Sequence, residues 1–500
     1  MNNKLKILCI AIIVMIGACK KDYLNINTNP NKPTDVLPGL VLTNALNFTA
    51  KTTTGSTNFY QFASTWIGYW DYSGAVSAFA EERSYQFTTN YSPAVSTWDS
   101  LYHNLQDYDY VEKKSKASNS QFYVGIAKTM KAYDYQNLVD IFGNIPYSQA
   151  LKSTAIIRPG YDKGQDIYED LSRQLDTAAN IFKSNIGKVT SADAAYDIMY
   201  KGDAQKWGEF ANTLRLRLLL RQSQMSGRAS YIAGEITKIN ANGLGYIIAG
   251  DGAAVNPGYN NSVNKQNPFW SKFGYSPISA PVDGHRFYIA STYGLAFYQN
   301  NNDPRLSKLY TTINDGAGST YSGSPFGPTA TIADSPVNKS AIGTGLLQSA
   351  AQSQYLMTDF ESLFLQSEAA QRGYISGDAR SLYELAVQQN FTYLGAGSAS
   401  EYLAASSVSS WDLATTDKIT LIMTQKWAAM NGINDIESWS DYRRLNIPSD
   451  IPISNNPAAT VRKVPVRMLY PQSEYNYNPD NVLAQGAISQ FTSRIFWDVD

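Results

Sequence analysis

Between Asp166 and Gln222 the chain twice shows apolar residues returning every three or four positions. Ile167, Leu171, Leu175, Ala178 and Phe182 form one stripe; Trp207, Phe210, Ala211, Leu214 and Leu218 form the next. Side chains at that spacing share one face of an α-helix, so each segment predicts a helix with one buried side. Asp166 followed by Glu169 reads as a capping box for the first. Further helices are predicted over Gln121 to Phe142, Tyr355 to Arg372 and Asp378 to Leu394. The last two are joined by "GYISGD" and read as a helical hairpin with a glycine-containing turn. Such stripes are buried only when helices stack on one another. The expected fold is therefore mainly α, with tetratricopeptide-like hairpins as scaffold and few short strands, although no repeat consensus is visible.

Residues 245 to about 347 break this pattern. They are rich in Gly, Asn, Ser, Pro and Tyr, and are too many for an inert linker. They are expected to form a loop-rich, ligand-facing insertion in a single domain spanning 36–500, with helical scaffold at about 36–244 and 348–500. Long structured loops commonly carry function.

The N-terminus has its own logic. Lys4 and Lys6 give a positive start, and Leu5 to Ala18 is almost wholly apolar, a run shorter than the roughly 20 residues of a membrane span. The run ends Ile16-Gly17-Ala18-Cys19, which resembles the lipobox of bacterial lipoproteins. That resemblance implies a signal peptide over 1–18, lipidation of Cys19, and a flexible Pro- and Asn-rich tether over 19–35. Cys9 then leaves with the signal, and no thiol remains for a disulfide, a metal or catalysis. Without Lys4 and Lys6 the 41 basic side chains become 39, against 42 acidic ones, a net charge of −3. Nucleic-acid binding needs clustered basic surface, so that partner is not expected.

Chemistry is sparse. His103 and His285 are the only histidines, and HExxH, the nucleophile elbow, the phosphate-binding loop and a calcium loop are all absent. Neither a metal nor a cofactor is expected. The close carboxylates Glu81/Glu82, Asp107/Asp109 and Asp435/Glu437 read as solvated or ion-paired. Glu437 is expected to pair with Arg443 and Arg444, and Arg215, Arg217 and Arg221 read as helix surface with cross-helix pairing. A glycoside hydrolase would need two carboxylates facing across a cleft.

Six blocks in order resemble the SusD/RagB-like family of nutrient-binding outer-membrane lipoproteins. They are "YDYQNLVDIFGNIPYSQAL" (133–151), "IYEDLSRQLDTAANIF" (167–182), "YKGDAQKWGEFANTLRLRLLLRQS" (200–223), "DFESLFLQSEAA" (359–370), "QKWAAMNGINDIESWSDYRRLNIP" (425–448) and "VPVRMLYPQSEYNYNPDN" (464–481). The resemblance implies a non-catalytic protein, lipid-anchored to the outer membrane and facing outward. Such a protein captures oligosaccharides, or peptides in some branches, for a SusC-like TonB-dependent transporter. Lys20-Lys21-Asp22 departs from the acidic stretch that often follows the Cys in exported lipoproteins of this kind.

Family sugar sites carry no fixed motif, so contact residues follow from physics. Aromatic faces meet the C–H face of a sugar, and Asn, Gln and Asp meet its hydroxyls. In "STWIGYWDYSG" (64–74), Phe59, Ala63, Trp66 and Trp70 fall on one helical stripe, which places Trp66 in the core. Tyr69 and Tyr72 fall off the stripe and are expected to face outward as ligand contacts, with Trp70, near the helix end, as a further candidate contact. In "NKQNPFWSKFGYS" (264–276), Pro268 is expected to forbid a regular helix. Trp270 is the foremost ligand contact, with Phe273 and Tyr275 beside it and Asn264, Gln266 and Asp283 as hydrogen-bonding partners.

Overall fold

The stripes do form helices, and the stripes are where the helices meet. The computed structural model describes residues 36–74, 78–328 and 337–499. The expected signal peptide, the lipidated Cys19 and the tether lie outside the described residues. The first helices are α1 (Pro38–Thr52), α2 (Thr57–Trp66), α3 (Ser92–Ala117), α4 (Gln121–Phe142), α5 (Gly164–Asn185) and α6 (Ala204–Arg221). Neighbours in the order α1, α3, α4, α5, α6 pack against one another. Ile167, Leu171, Leu175, Ala178 and Phe182 are all buried, each contributing about 1.5–3 kcal/mol, less for the alanine. Asp203 caps α6, its carboxylate accepting from the Lys206 N–H at 3.1 Å. The capping box expected at Asp166 does not form. α5 begins at Gly164 after Lys163, whose side chain makes no capping bond, and Asp166 instead sits in the first turn, where a negative charge favours the helix dipole.

The middle of the chain is pinned into the core. Strand β1 (Trp70–Tyr72) pairs antiparallel with β3 (Tyr288–Ala290), and β2 (Ala253–Val255) with β4 (Gln354–Met357). Among the short helices between them are α7 (Pro268–Phe273) and α8 (Thr292–Asn300). Pro268 does not forbid α7; it starts it. Proline at the first helical position loses no intrahelical bond, and Asn267 caps the turn by accepting from the Trp270 N–H at 2.9 Å.

The scaffold resumes with the hairpin α9 (Asp359–Gln371) and α10 (Ala379–Leu394), followed by α11 (Lys418–Met430) and α12 (Asp435–Leu445). Where α6, α9, α11 and α12 converge, a charged network is buried. Arg217 meets Glu361 at 2.9 Å, Arg221 meets Glu437 and Asp441, Lys426 meets Glu437 at 2.9 Å, and Arg444 meets Glu368 at 2.5 Å. The arginines of α6 do pair across helices, but Arg215, Arg217 and Arg221 are buried rather than on the helix surface. Glu437 bonds Arg221 and Lys426, not Arg443 and Arg444, which lie about two turns further along the helix and are held by the Asp140 and Val466 carbonyls and by Glu368 and Asp441 respectively. Among the described residues no helix is long and apolar enough to cross a membrane.

Candidate functional site

The aromatic cluster of residues 64–74 is core. α2 ends at Trp66, Gly68 turns the chain at φ +80°, and residues 70–72 run as a strand. The helical spacing that separated Tyr69 and Tyr72 from the stripe therefore stops before it reaches them. Tyr69, Trp70 and Tyr72 are each 0% exposed. Trp70 stacks on Tyr60, Tyr72 stacks on Phe79, and the Tyr69 hydroxyl donates to Ser438 Oγ at 2.8 Å. Burial pushes the Tyr69 and Tyr72 phenols well above the usual tyrosine range. Trp66 is buried, as expected. Phe273 is buried too, edge-on to Trp70 at 5.4 Å. These four expected contacts, Tyr69, Trp70, Tyr72 and Phe273, have no face for a ligand.

The rest of the second segment stays near the surface. Trp270 and Tyr275 are half-buried, 5.8 Å apart between ring centres. The Tyr275 carbonyl accepts from Trp270 Nε1 at 2.9 Å and from Gln266 Nε2 at 3.0 Å, which fixes all three together. His285 braces the group from behind, lying 4.7 Å from the Tyr275 ring. Burial lowers the His285 pKa. Asn264 is exposed, and the exposed Asp283 is ion-paired with Arg286. A cleft of about 830 Å³ lies alongside, lined by Asn264, Gln266, Ser271 and Ser276 and by Ser56 and Asn58 at the start of α2. Its lining mixes these polar groups with Val263, Pro268, Pro277 and Val282 and holds no aromatic ring.

A second cleft, of about 750 Å³, combines both kinds of group. Its aromatic wall is Tyr293 and Phe297, four residues apart on one face of α8. Ser291 starts that helix by accepting from the Tyr293 N–H at 3.2 Å. Trp427 of α11 backs both rings edge-on, at 5.7 Å and 5.0 Å. The opposite wall is Thr420 and Thr424 of α11 and the loop Leu445–Asp450, which leaves α12 through Asn446 in the left-handed conformation. The Tyr293 hydroxyl donates to Asp450 Oδ1 at 2.5 Å, and burial together with that bond raises its pKa. Asn300, Asn446, Ser449 and Asp450 are exposed at the rim. The cleft thus offers two flat apolar faces within reach of neutral polar groups and one carboxylate, where a two-carboxylate glycosidase mechanism needs a facing pair. Its size falls within the range of small-molecule pockets. Sequence reasoning missed it because α8 and the 445–450 loop are about 150 positions apart. The legible signal was the Tyr293/Phe297 spacing beside the Asn-rich "YQNNND". Among the described residues no group of three or more His, Cys, Asp or Glu side chains comes together to hold a metal ion.

A SusD-like family model, described as "Starch-binding associating with outer membrane", matches residues 30–471. The structure is similar to a SusD-like protein from Bacteroides thetaiotaomicron, with 24% identity over 93% of this chain and 99% of that one and a TM-score of 0.75. It is also similar to a chitin-binding SusD homologue from Flavobacterium johnsoniae, with 24% identity over 92% and 99% and a TM-score of 0.75. A SusD homologue from Bacteroides uniformis matches at 22% identity over 92% and 99%, with a TM-score of 0.73. No curated protein sequence matches the chain. At these identities the solved structures speak to the fold alone. The family model spans most of the sequence, and on that match, with the helical fold now in place, the chain belongs to the SusD-like family.

Proposed function

We propose that this protein is a non-catalytic surface lipoprotein that captures oligosaccharides and passes them to a SusC-like TonB-dependent outer-membrane transporter. The observation that carries the reading is the Tyr293–Phe297 cleft, where aromatic faces and neutral hydrogen-bonding groups meet at sugar scale. Family membership and the chitin-binding relative support a glycan as ligand. Trp270 and Tyr275, with Asn264, Gln266 and Asp283, form a second and shallower contact surface. Cys19 carries the lipid that holds the chain to the outer membrane, facing outward.

Affinity electrophoresis in gels containing starch or soluble chitin derivatives tests the site. Stacking contributes on the order of 1 kcal/mol per ring, so Tyr293→Ala with Phe297→Ala is expected to weaken retention at least about tenfold. Trp270→Ala is expected to weaken it less. Retention unchanged in both variants defeats the assignment, and sugar released during incubation defeats the non-catalytic reading. Replacing Cys19 with Ala is expected to move the protein from the membrane pellet to the soluble fraction; continued sedimentation with membranes refutes lipid anchoring.

A further inference from the structure

We propose that the cleft between α3, α4 and α5 binds a phosphate- or sulfate-type oxyanion, either free or as an ester on a small soluble molecule. The cleft measures about 350 Å³ and shares no residue with the Tyr293 cleft. Lys113 and Lys116 of α3 face Lys128 and Lys131 of α4 across it, and Lys152 adds a fifth ammonium from the loop before α5. The carboxylates in its lining are Asp109 and Glu112.

Those two carboxylates are oversubscribed. Glu112 Oε1 meets Lys116 at 2.5 Å and Lys128 at 3.1 Å, while its Oε2 meets Lys131 at 2.5 Å. Asp109 meets Lys113 at 2.5 Å and Lys131 at 3.5 Å. Asp170, nearby on α5, is taken by Arg173 at 3.0 Å and by the Tyr147 hydroxyl. One lysine would neutralise Glu112, yet three surround it. Burial does not explain the surplus, because it makes like charges harder to hold together. The Lys128 and Lys131 side chains are only 12% and 20% exposed, so water and salt screen them poorly. The lysines keep Glu112 ionised, with its pKa lowered to about 2, so at neutral pH it cancels one of the positive charges around it and no more. Each ammonium has three N–H donors; the carboxylates use one on Lys113, Lys116 and Lys128 and two on Lys131, and Lys128 gives another to the Gln174 side-chain carbonyl. A concave site with surplus, converging donors and net positive charge suits a compact anion that accepts several hydrogen bonds.

Isothermal titration of the full chain with inorganic phosphate, inorganic sulfate and galactose 6-sulfate tests this, with galactose as the neutral control. Saturable binding of an oxyanion is expected, weakened about tenfold or more by Lys131→Gln. Lys183→Gln, at an exposed position of α5 outside the cleft, is expected to leave it unchanged. Tighter binding of the ester than of the free ions assigns an esterified ligand, and equal binding assigns the free ion. If Lys131→Gln lowers the melting temperature, the exposed pair Lys113→Gln and Lys152→Gln carries the same test. No saturable binding at millimolar concentrations, or equal affinity in the cleft variants and Lys183→Gln, overturns the proposal.

Discussion

Asp134 lies inside α4 with 0% exposure. One carboxyl oxygen accepts from Asn104 at 3.0 Å and the other has no partner. Burial raises its pKa well above the usual aspartate range. In the unfolded chain the same group ionises above about pH 3.9. Unfolding above that pH therefore releases a proton, and stability falls as pH rises from there toward the folded-state pKa. Asparagine has the same shape and does not titrate. Asp134→Asn is expected to stabilise the protein by about 1–3 kcal/mol at pH 7, with the gain vanishing near pH 4. Urea melts at the two pH values decide it; an equal gain at both, or a loss at pH 7, would show that burial is not the cause.

At the scale of elements, the turn between α2 and β1 decides what "STWIGYW" becomes. Gly68 sits at φ +80°, and a Cβ added there would lie 2.6 Å from Tyr293 Cδ1. Gly68→Ala is thus expected to cost about 1–2 kcal/mol in backbone strain and to push the Tyr293 ring off its seat. Both a lower melting temperature and weaker glycan retention should follow. A variant that melts lower but keeps full retention would remove Tyr293 from the site. The same turn explains why the outward reading of Tyr69 and Tyr72 failed. Helical spacing is a valid guide only while the helix lasts, and nothing local announces that residues 70–72 will pair with 288–290 and be covered on both faces.

For the whole molecule, the buried charges at the meeting of α6, α9, α11 and α12 couple helices more than two hundred residues apart. Glu437 neutralises both Arg221 and Lys426. Glu437→Ala leaves buried cations short of a partner and is expected to cost about 3–5 kcal/mol. Asp412→Ala, which breaks the exposed contact with Arg380, is expected to cost less than about 1 kcal/mol. Equal losses in urea unfolding would mean that the network is not the tie between these helices.

The sequence alone determined the helices and their inward faces, because a stripe such as Ile167 to Phe182 is a local property that hydrophobic burial acts on directly. It also marked Trp270 and Gln266 as neighbours, since short segments keep nearby residues close. Tertiary structure alone decided which rings stay accessible. Tyr69, Trp70, Tyr72 and Phe273 were consumed by the core, while Tyr293 and Phe297 became the aromatic wall of a cleft completed by the 445–450 loop. Exposure depends on what packs opposite a residue, and those partners come from distant segments that no local pattern specifies.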